Sequence, residues 1–286
     1  MQKMRIAVPG KGRMAQSILE LLQDAGLGVR DMQHDRGLMA SLGEDFDALF
    51  VRAEDIPELV ADKVVDVGVT GWDLICESEH TLDVLLDLEL GKCRLIAAAP
   101  EKSDVMSAQG LPDNARVATS FPRLATRFFA EQGKPITVVP VSGAAEVAPQ
   151  LGIADAIVDL TSTGSTLRVN GLRELEVILE STARLVAPSN RTADRRLDEL
   201  TVALQSVLHA KKRRYVMANI PKATVDTISS VLPGLNGPTV TNILGNDERV
   251  AVHAVVDTEQ VYRTIAALKA LGAQGILVTR IERLMP

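Results

Sequence analysis

The sequence predicts an α/β fold: a two-lobed body of alternating strands and helices, followed by a small α+β module. Three observations carry this. Short apolar runs alternate with helix-period stretches from residue 4 to about residue 210, the pattern of parallel sheets covered by helices. Residues 213–286 then change to the order βαββαβ, a ferredoxin-like split unit that forms a complete small domain. At the change stands Lys211-Lys212-Arg213-Arg214, the densest basic run of the chain, which reads as a solvated linker and sets a boundary near Lys211. The 286 residues suffice for two or three domains.

The elements follow in order. Met4 to Val8 is a strand stopped by Pro9-Gly10, and Met14 to Ala25 is a helix with Ile18, Leu21, Leu22 and Ala25 at helical spacing. Asp47 to Val51 is a strand, Ala53 to Ala61 a helix with Pro57 in its first turn, and Val64 to Val69 a strand. Thr70-Gly71-Trp72-Asp73 turns that strand into a short helix. Arg94 to Ala99 and Ala115 to Thr119 are strands, and Ser120-Phe121-Pro122 opens a helix to about Gln132. Ile136 to Val141 is a strand and Gly143 to Gln150 a short helix. Ala154 to Leu160 is a buried strand, Glu174 to Ala187 gives two β-rich runs, and Asn190 to Ala210 is a long helix. In the module, Arg214–Asn219, Pro238–Leu244, Arg249–Val256 and Gln274–Ile281 are strands, and Lys222–Leu232 and Thr258–Leu271 are helices.

Composition narrows the function. Hydrophobic residues make up 46% and charged residues 24%, ordinary for a soluble globular protein. Aromatics are 3% and the net charge is −6, which argues against nucleic acid as a partner. No apolar run is long enough to span a membrane, and the first residues do not read as a signal peptide. Cys76 and Cys93 form no disulfide framework and no C-x-x-C pair, so a reducing cytoplasm is expected. The four histidines are scattered, without zinc-ligand spacing.

The stretch ADAIVDLTSTGSTLRVNGLRELE, residues 154–176, is the most informative. Asp155 and Asp159 ride on its strand. Thr161, Ser162, Thr163, Gly164, Ser165 and Thr166 then form a loop of hydroxyls around one glycine. Backbone N–H groups and hydroxyls at close range suit a phosphate monoester. Nearby carboxylates suit ribose hydroxyls or Mg²⁺, since both take hard oxygen ligands. The same residues also fit an ordinary Ser/Thr-rich turn. Lys11 and Arg13 follow the first strand on a Gly-rich loop, where open α/β sheets bind ligands; both are either anion ligands or surface charges. Arg52 ends a strand and Arg94 begins one, and either has the reach to grip a pyrophosphate or to stay in solvent. Gly71 lets backbone approach a ligand, Trp72 packs on a base or in the core, and Glu146 faces a ribose or water. No Ser-His-Asp or Cys-His set can be placed, so covalent catalysis is not expected.

Taken together, MRIAVPGKGR, DIPELVADKVVDVGVTGWDL, GAAEVAPQLGIADAIVDLTSTGSTLRVNGLRELEVI and LPGLNGPTV resemble the long form of the ATP phosphoribosyltransferase family, over essentially the whole chain. The resemblance implies a periplasmic-binding-protein-like catalytic body with lobe I at residues 1–90 and 184–210, lobe II at 91–183, and a regulatory domain at 213–286. It implies a Mg²⁺-dependent condensation of ATP with 5-phosphoribosyl 1-pyrophosphate, the first step of histidine biosynthesis. Feedback inhibition by histidine, and dimers or hexamers, are implied as well. Residues 161–166 would hold the 5-phosphate, with Asp155 and Asp159 beside the ribose and metal. Lys11, Arg13 and Arg52 would face the pyrophosphate and ATP phosphates. Asn219, Leu235, Thr239 and Gly275 fall where long forms bind histidine. Asn219 departs from the aspartate of some relatives, and an amide cannot pair ionically with the histidine amino group. Ser165 stands where alanine is common. The competing class is a two-lobed ligand-binding or regulatory paralogue without catalysis.

Overall fold

The computed structural model describes residues 3–30, 38–189 and 191–285. They fall into two compact units, Met1–Glu20 with Val29–Asp194, and Leu21–Gly28 with Arg195–Pro286.

The first unit holds two sheets. Its elements begin with β1 (Met4–Pro9), α1 (Arg13–Asp24, whose residues from Leu21 on cluster with the second unit), β2 (Val29–Arg30), β3 (Met39–Leu42), β4 (Phe46–Val51) and α2 (Ile56–Ala61). They continue with β5 (Val67–Gly71), α3 (Trp72–Ser78), β6 (Leu82–Asp87), β7 (Cys93–Pro100) and β8 (Ala115–Thr119). Then come α4 (Pro122–Glu131), β9 (Ile136–Pro140), β10 (Ala156–Thr161), α5 (Ser165–Val169), β11 (Leu172–Ser181) and β12 (Ala183–Pro188). The larger sheet runs β2-β3-β4-β1-β5-β12-β6 and the smaller β11-β7-β10-β8-β9.

Both sheets are mixed, where alternation in the sequence suggests parallel ones. The parallel pairs are β1 with β4 and β5, and β8 with β9 and β10. Antiparallel strands β12, β3 and β7 flank them. β6 and the β2–β3 pair escape the sequence reading. Leu82–Asp87 has its apolar residues half exposed and carries acids at both ends, so alternation is weak. Residues read as helical at 53–55 and 143–150 are largely 3₁₀ turns or irregular.

The smaller sheet is covered differently on its two faces. On one, Phe121, Leu124 and Phe129 of the α4 region pack on Leu95, Ala97, Val117 and Val158. Burying a side chain such as Phe129 contributes roughly 1.5–3 kcal/mol. On the other, Ala145 and Ala148 of a 3₁₀ turn and Leu167 of α5 cover Ile96, Ala98 and Ile157. That second cover is thin and leaves room at the strand ends.

The chain passes between the sheets twice, after β6 and between β11 and β12. The two passages are stitched together: Leu88 N–H donates to the Ala183 carbonyl at 2.9 Å, and Ala183 N–H to that of Leu90 at 2.9 Å. This is the doubly crossed, two-sheet body expected from the resemblance.

The second unit contains α6 (Arg195–Lys211), β13 (Arg213–Pro221), α7 (Ile228–Val231), β14 (Thr239–Ile243), β15 (Asn246–Asp257), α8 (Val261–Ala270) and β16 (Gln274–Arg280). Its sheet order β14-β15-β13-β16, antiparallel throughout, is that of a βαββαβ ferredoxin-like unit. Val216, Ala218, Ile220, Val252, Ala254 and Leu268 form its core. α6 clusters with this unit, whereas the sequence reading placed residues 184–210 with the first lobe. α6 also starts five residues later than read, since Arg191 to Asp194 are irregular.

Candidate active site

β10 delivers the hydroxyl loop. Period-two alternation puts Ile157, Asp159 and Thr161 on the thinly covered face of the sheet. Thr161 is buried, and its Oγ1 accepts the Gly164 N–H at 3.0 Å, closing residues 161–164 into a turn. Gly164 has φ +71°, left-handed backbone that favours glycine, and it caps the short helix α5. Thr163 and Ser165 hydroxyls meet at 3.0 Å. Ser162, Thr163, Ser165 and Thr166 are exposed on this loop. An ideal Cβ at Gly164 would touch only Arg168 Nη1, at 3.6 Å. The demand for glycine there comes from backbone geometry, not from crowding.

Asp159 and Glu146 flank this loop. Burial holds the Asp159 carboxyl above the usual carboxylate range; the Leu160 N–H, donating at 2.7 Å, opposes this, and the nearby charge of Glu146 adds to it. A raised carboxyl with a second carboxylate nearby suits a ligand presenting hydroxyls or a cation. Among the described residues no group of three or more His, Cys, Asp or Glu could hold a metal. The pair fits a Mg²⁺ that arrives on a polyphosphate and keeps water ligands, rather than an all-protein cage.

Asp155 is not brought to the loop. It precedes β10 at the amino end of the strand, about 20 Å of extended chain from Thr161 at ~3.3 Å per residue. There Arg116 takes both its oxygens, Nη2 at 2.8 Å and Nε at 3.3 Å, and the Arg116 N–H adds a third bond at 2.8 Å. These bonds hold the Asp155 carboxyl below its ordinary value. It clamps β8 to β10 at the end of the strand opposite the hydroxyl loop.

Lys11 follows β1 and lines a cavity of about 330 Å³ with Ser162 of the loop, Lys92 and Asp73. The structure thus brings the β1 loop and the hydroxyl loop onto one space. Arg13 opens α1, but its side chain lies outside the described residues. Arg52 follows β4 and is largely exposed; Asp55 grips it at 3.0 Å through both Nε and Nη2. It can reach a ligand by exchanging that local partner. Arg94 lies opposite Thr161 in register, yet its guanidinium is held in a two-point pair by Glu174, at 2.6 and 3.0 Å. Gly71 is buried, and a Cβ there would lie 2.3 Å from Asp73 Oδ1. Its small size makes room for a carboxylate, which differs from the expected backbone approach to a ligand. Trp72 packs with the Ala7–Ile56–Val186 core, under Arg184 at 5.7 Å, and so takes the core alternative.

In the module, Asn219 and Gly275 are neighbours: a Cβ on Gly275 would lie 3.6 Å from Asn219 Nδ2. Thr239 sits two strands away, about 10 Å across the sheet at ~4.8 Å per strand. Leu235 is exposed in the loop before β14. One copy of the module therefore joins Asn219 to Gly275 and leaves Thr239 apart from both.

Three residues on this cavity or loop escaped the sequence reading: Asp73, Lys92 and Arg168. Arg168 had a signal, since it lies one helical turn after Gly164. Asp73 had one in the Thr-Gly-Trp-Asp turn that follows β5. Lys92 had none beyond its glycine neighbour.

Comparison with known proteins shows the family. The sequence profile of ATP phosphoribosyltransferase (HisG) matches residues 52–206, and that of the HisG C-terminal domain matches residues 210–283. An ATP phosphoribosyltransferase of Gemmatimonas aurantiaca is 56% identical over 292 aligned positions, covering 99% of this chain and all of the relative. One from Natronomonas pharaonis is 48% identical, covering 99% and 100%. Among solved structures, the ATP phosphoribosyl transferase (HisG:HisZ) complex from Thermotoga maritima superposes with a TM-score of 0.61 at 26% identity, over 71% of this chain and 98% of that one. With both profiles, relatives matched end to end and the hydroxyl loop in place, the chain belongs to the ATP phosphoribosyltransferase family and carries its C-terminal domain.

Proposed function

We propose that this chain transfers the phosphoribosyl group of 5-phosphoribosyl 1-pyrophosphate to N1 of ATP, giving N1-(5-phosphoribosyl)-ATP and pyrophosphate. The observation that carries the residue assignment is one cavity shared by Lys11 and Ser162, with Asp159 and Glu146 flanking the same loop. Residues 161–166 hold the 5-phosphate through N–H and hydroxyl donors. Asp159 and Glu146 accept hydrogen bonds from the ribose hydroxyls. Lys11, Arg13 and Arg52 draw the pyrophosphate, and Arg168 adds a cation beside the loop.

The chemistry asks little else of the protein. The bond from ribose C1 to the pyrophosphate oxygen breaks as the N1 lone pair forms the new bond. N1 starts unprotonated, so no strong base is needed to begin. Positioning of two polyanions, charge at the leaving group and exclusion of water supply the rate. Mg²⁺, bound with the polyphosphates, would neutralise the leaving group, with Asp159 and Glu146 as its nearest carboxylates.

The lobes follow as 1–90 with the return from 184, and 91–183. Residues 213–286 serve as a histidine sensor through Asn219, Leu235, Thr239 and Gly275, in a homo-oligomer of dimer or hexamer size. No helix among the described residues is long and apolar enough to cross a membrane, and the reaction belongs in the cytoplasm with its substrates. Mixing the chain with ATP, Mg²⁺ and phosphoribosyl pyrophosphate should raise ultraviolet absorbance as product forms. Binding of both substrates without any such rise would favour a non-catalytic paralogue.

A further inference from the structure

We propose that Asp73 faces the exocyclic amine of the purine, selects ATP over 6-oxo purine nucleotides, and carries the counter-charge to the base as N1 is alkylated. This rests on the transferase reading above.

Asp73 is 5% exposed yet lines the same cavity as Lys11 and Ser162. Its backbone N–H donates to Ser181 Oγ at 3.1 Å, and the Ser181 hydroxyl donates back to its carboxylate. Ser181 ends β11 where the chain crosses between the sheets, and Gly71 leaves space that any side chain would fill. Burying a carboxylate is costly. Two separate features of the sequence, 108 residues apart for the serine, keep this one in place.

In a cleft that takes two polyanions, a carboxylate opposes phosphate, and beside the Ser181 hydroxyl it can accept a further N–H or O–H from a ligand. ATP offers its 6-amino group and its ribose hydroxyls. The rest of the wall includes Pro9, Met14, Cys93 and Leu160, which suit a flat base better than a sugar. The 6-amino group is also adjacent to N1, the atom that must reach ribose C1 near the Ser162 loop.

The reaction strengthens this contact. When N1 bonds to C1 and pyrophosphate leaves with the C1–O electron pair, the purine gains a positive charge. That charge is shared between N1 and the exocyclic nitrogen, which keeps both its protons in this step. A carboxylate fixed at the amine therefore binds the transition state more tightly than the substrate. A 6-oxo purine turns a carbonyl oxygen toward the same carboxylate and is repelled.

Full-length wild type, Asp73→Asn and Ser181→Ala should be compared for ATP turnover, inhibition by inosine triphosphate, KM for phosphoribosyl pyrophosphate, and Tm. Asp73→Asn should lower kcat/KM for ATP at least about a hundredfold, the scale of losing one transition-state partner. It should also strengthen inosine triphosphate inhibition about tenfold, because an amide can donate to the carbonyl. KM for phosphoribosyl pyrophosphate should hold. Ser181→Ala, which loosens the carboxylate without removing it, should weaken the preference for ATP over inosine triphosphate less than Asp73→Asn does. The proposal is overturned if Asp73→Asn leaves that preference unchanged, or if both variants merely lower Tm and kcat together, as a hinge brace would. It is equally overturned if 2′-deoxy-ATP, and not a purine riboside triphosphate lacking the amine, reproduces the loss on wild type. That last arm needs no variant and stands even if Asp73→Asn fails to fold. A wild type that binds ATP without turnover would instead sink the transferase reading, and ATP titration would still test Asp73.

Discussion

Asp155, just before β10, and Asp159, within it, stand four residues apart, and their surroundings treat them oppositely. Asp155 meets Arg116, which takes its charge and lowers its pKa. Asp159 meets burial and Glu146, which raise it. The first acid is satisfied by the fold. The second is left with a need that a ribose diol or a cation can meet. Position along the strand decides this: ligands in α/β sheets gather outside the carboxyl ends of strands, and only Asp159 is near that end.

The contrast predicts opposite effects of the same substitution. Asp159→Asn should lower kcat/KM at least about a hundredfold, roughly 2.7 kcal/mol of transition-state stabilisation. It should at the same time raise Tm near neutral pH, since it removes a half-buried charge and its repulsion from Glu146. A carboxyl whose pKa is raised by folding destabilises above its folded pKa, and the penalty fades as pH falls toward the unfolded value of about 3.9. The Tm gain should therefore vanish in acid. An unchanged or lower Tm at pH 7 would show that Asp159 is structurally paired after all.

The loop supplies the next test. Gly164→Val should raise the KM for phosphoribosyl pyrophosphate sharply and cost about 1–3 kcal/mol of stability, because a β-branched residue is forced into left-handed backbone. Gly164→Asn, which tolerates that backbone, should recover most of the stability in a melting experiment. Equal losses for both would point to crowding by a ligand or by Arg168.

How much of this was legible in sequence follows from how local each signal is. The 161–166 loop was legible because strand, hydroxyls, glycine and helix are contiguous. The βαββαβ order was legible because its alternation is strong and its turns are short. The Asp155–Arg116 clamp and the Asp73–Ser181 pair were not, since each joins residues far apart in sequence through sheet register. Trp72 is ambiguous by itself, and only its packing against the Ile56 core settles which face it covers. The mixed sheets were hidden because antiparallel flanking strands such as β7 are buried on both sides and read like parallel ones.

Lys11→Ala should lower kcat/KM about tenfold, ~1.4 kcal/mol, with the effect shrinking in high salt. Turnover like that of the parent would place the leaving pyrophosphate elsewhere.

The smallest effect belongs to Asp155→Asn. Its pair with Arg116 is largely exposed and screened, so Tm should fall only slightly at pH 7. A carboxyl lowered by folding stabilises above its unfolded value and loses that contribution as pH drops through its folded pKa. The deficit should thus also disappear in acid, from the opposite sign to Asp159→Asn. Loss of turnover in this variant with Tm preserved would make Asp155 a ligand to substrate.

Calorimetric titration of phosphoribosyl pyrophosphate with Mg²⁺ into wild type, Asp155→Asn and Asp159→Asn tests the division of this strand most directly. The account predicts wild-type affinity for Asp155→Asn and at least about tenfold weaker binding for Asp159→Asn, ~1.4 kcal/mol. Weakened binding by Asp155→Asn, with Asp159→Asn unaffected, would contradict it and move the ribose to the other end of β10.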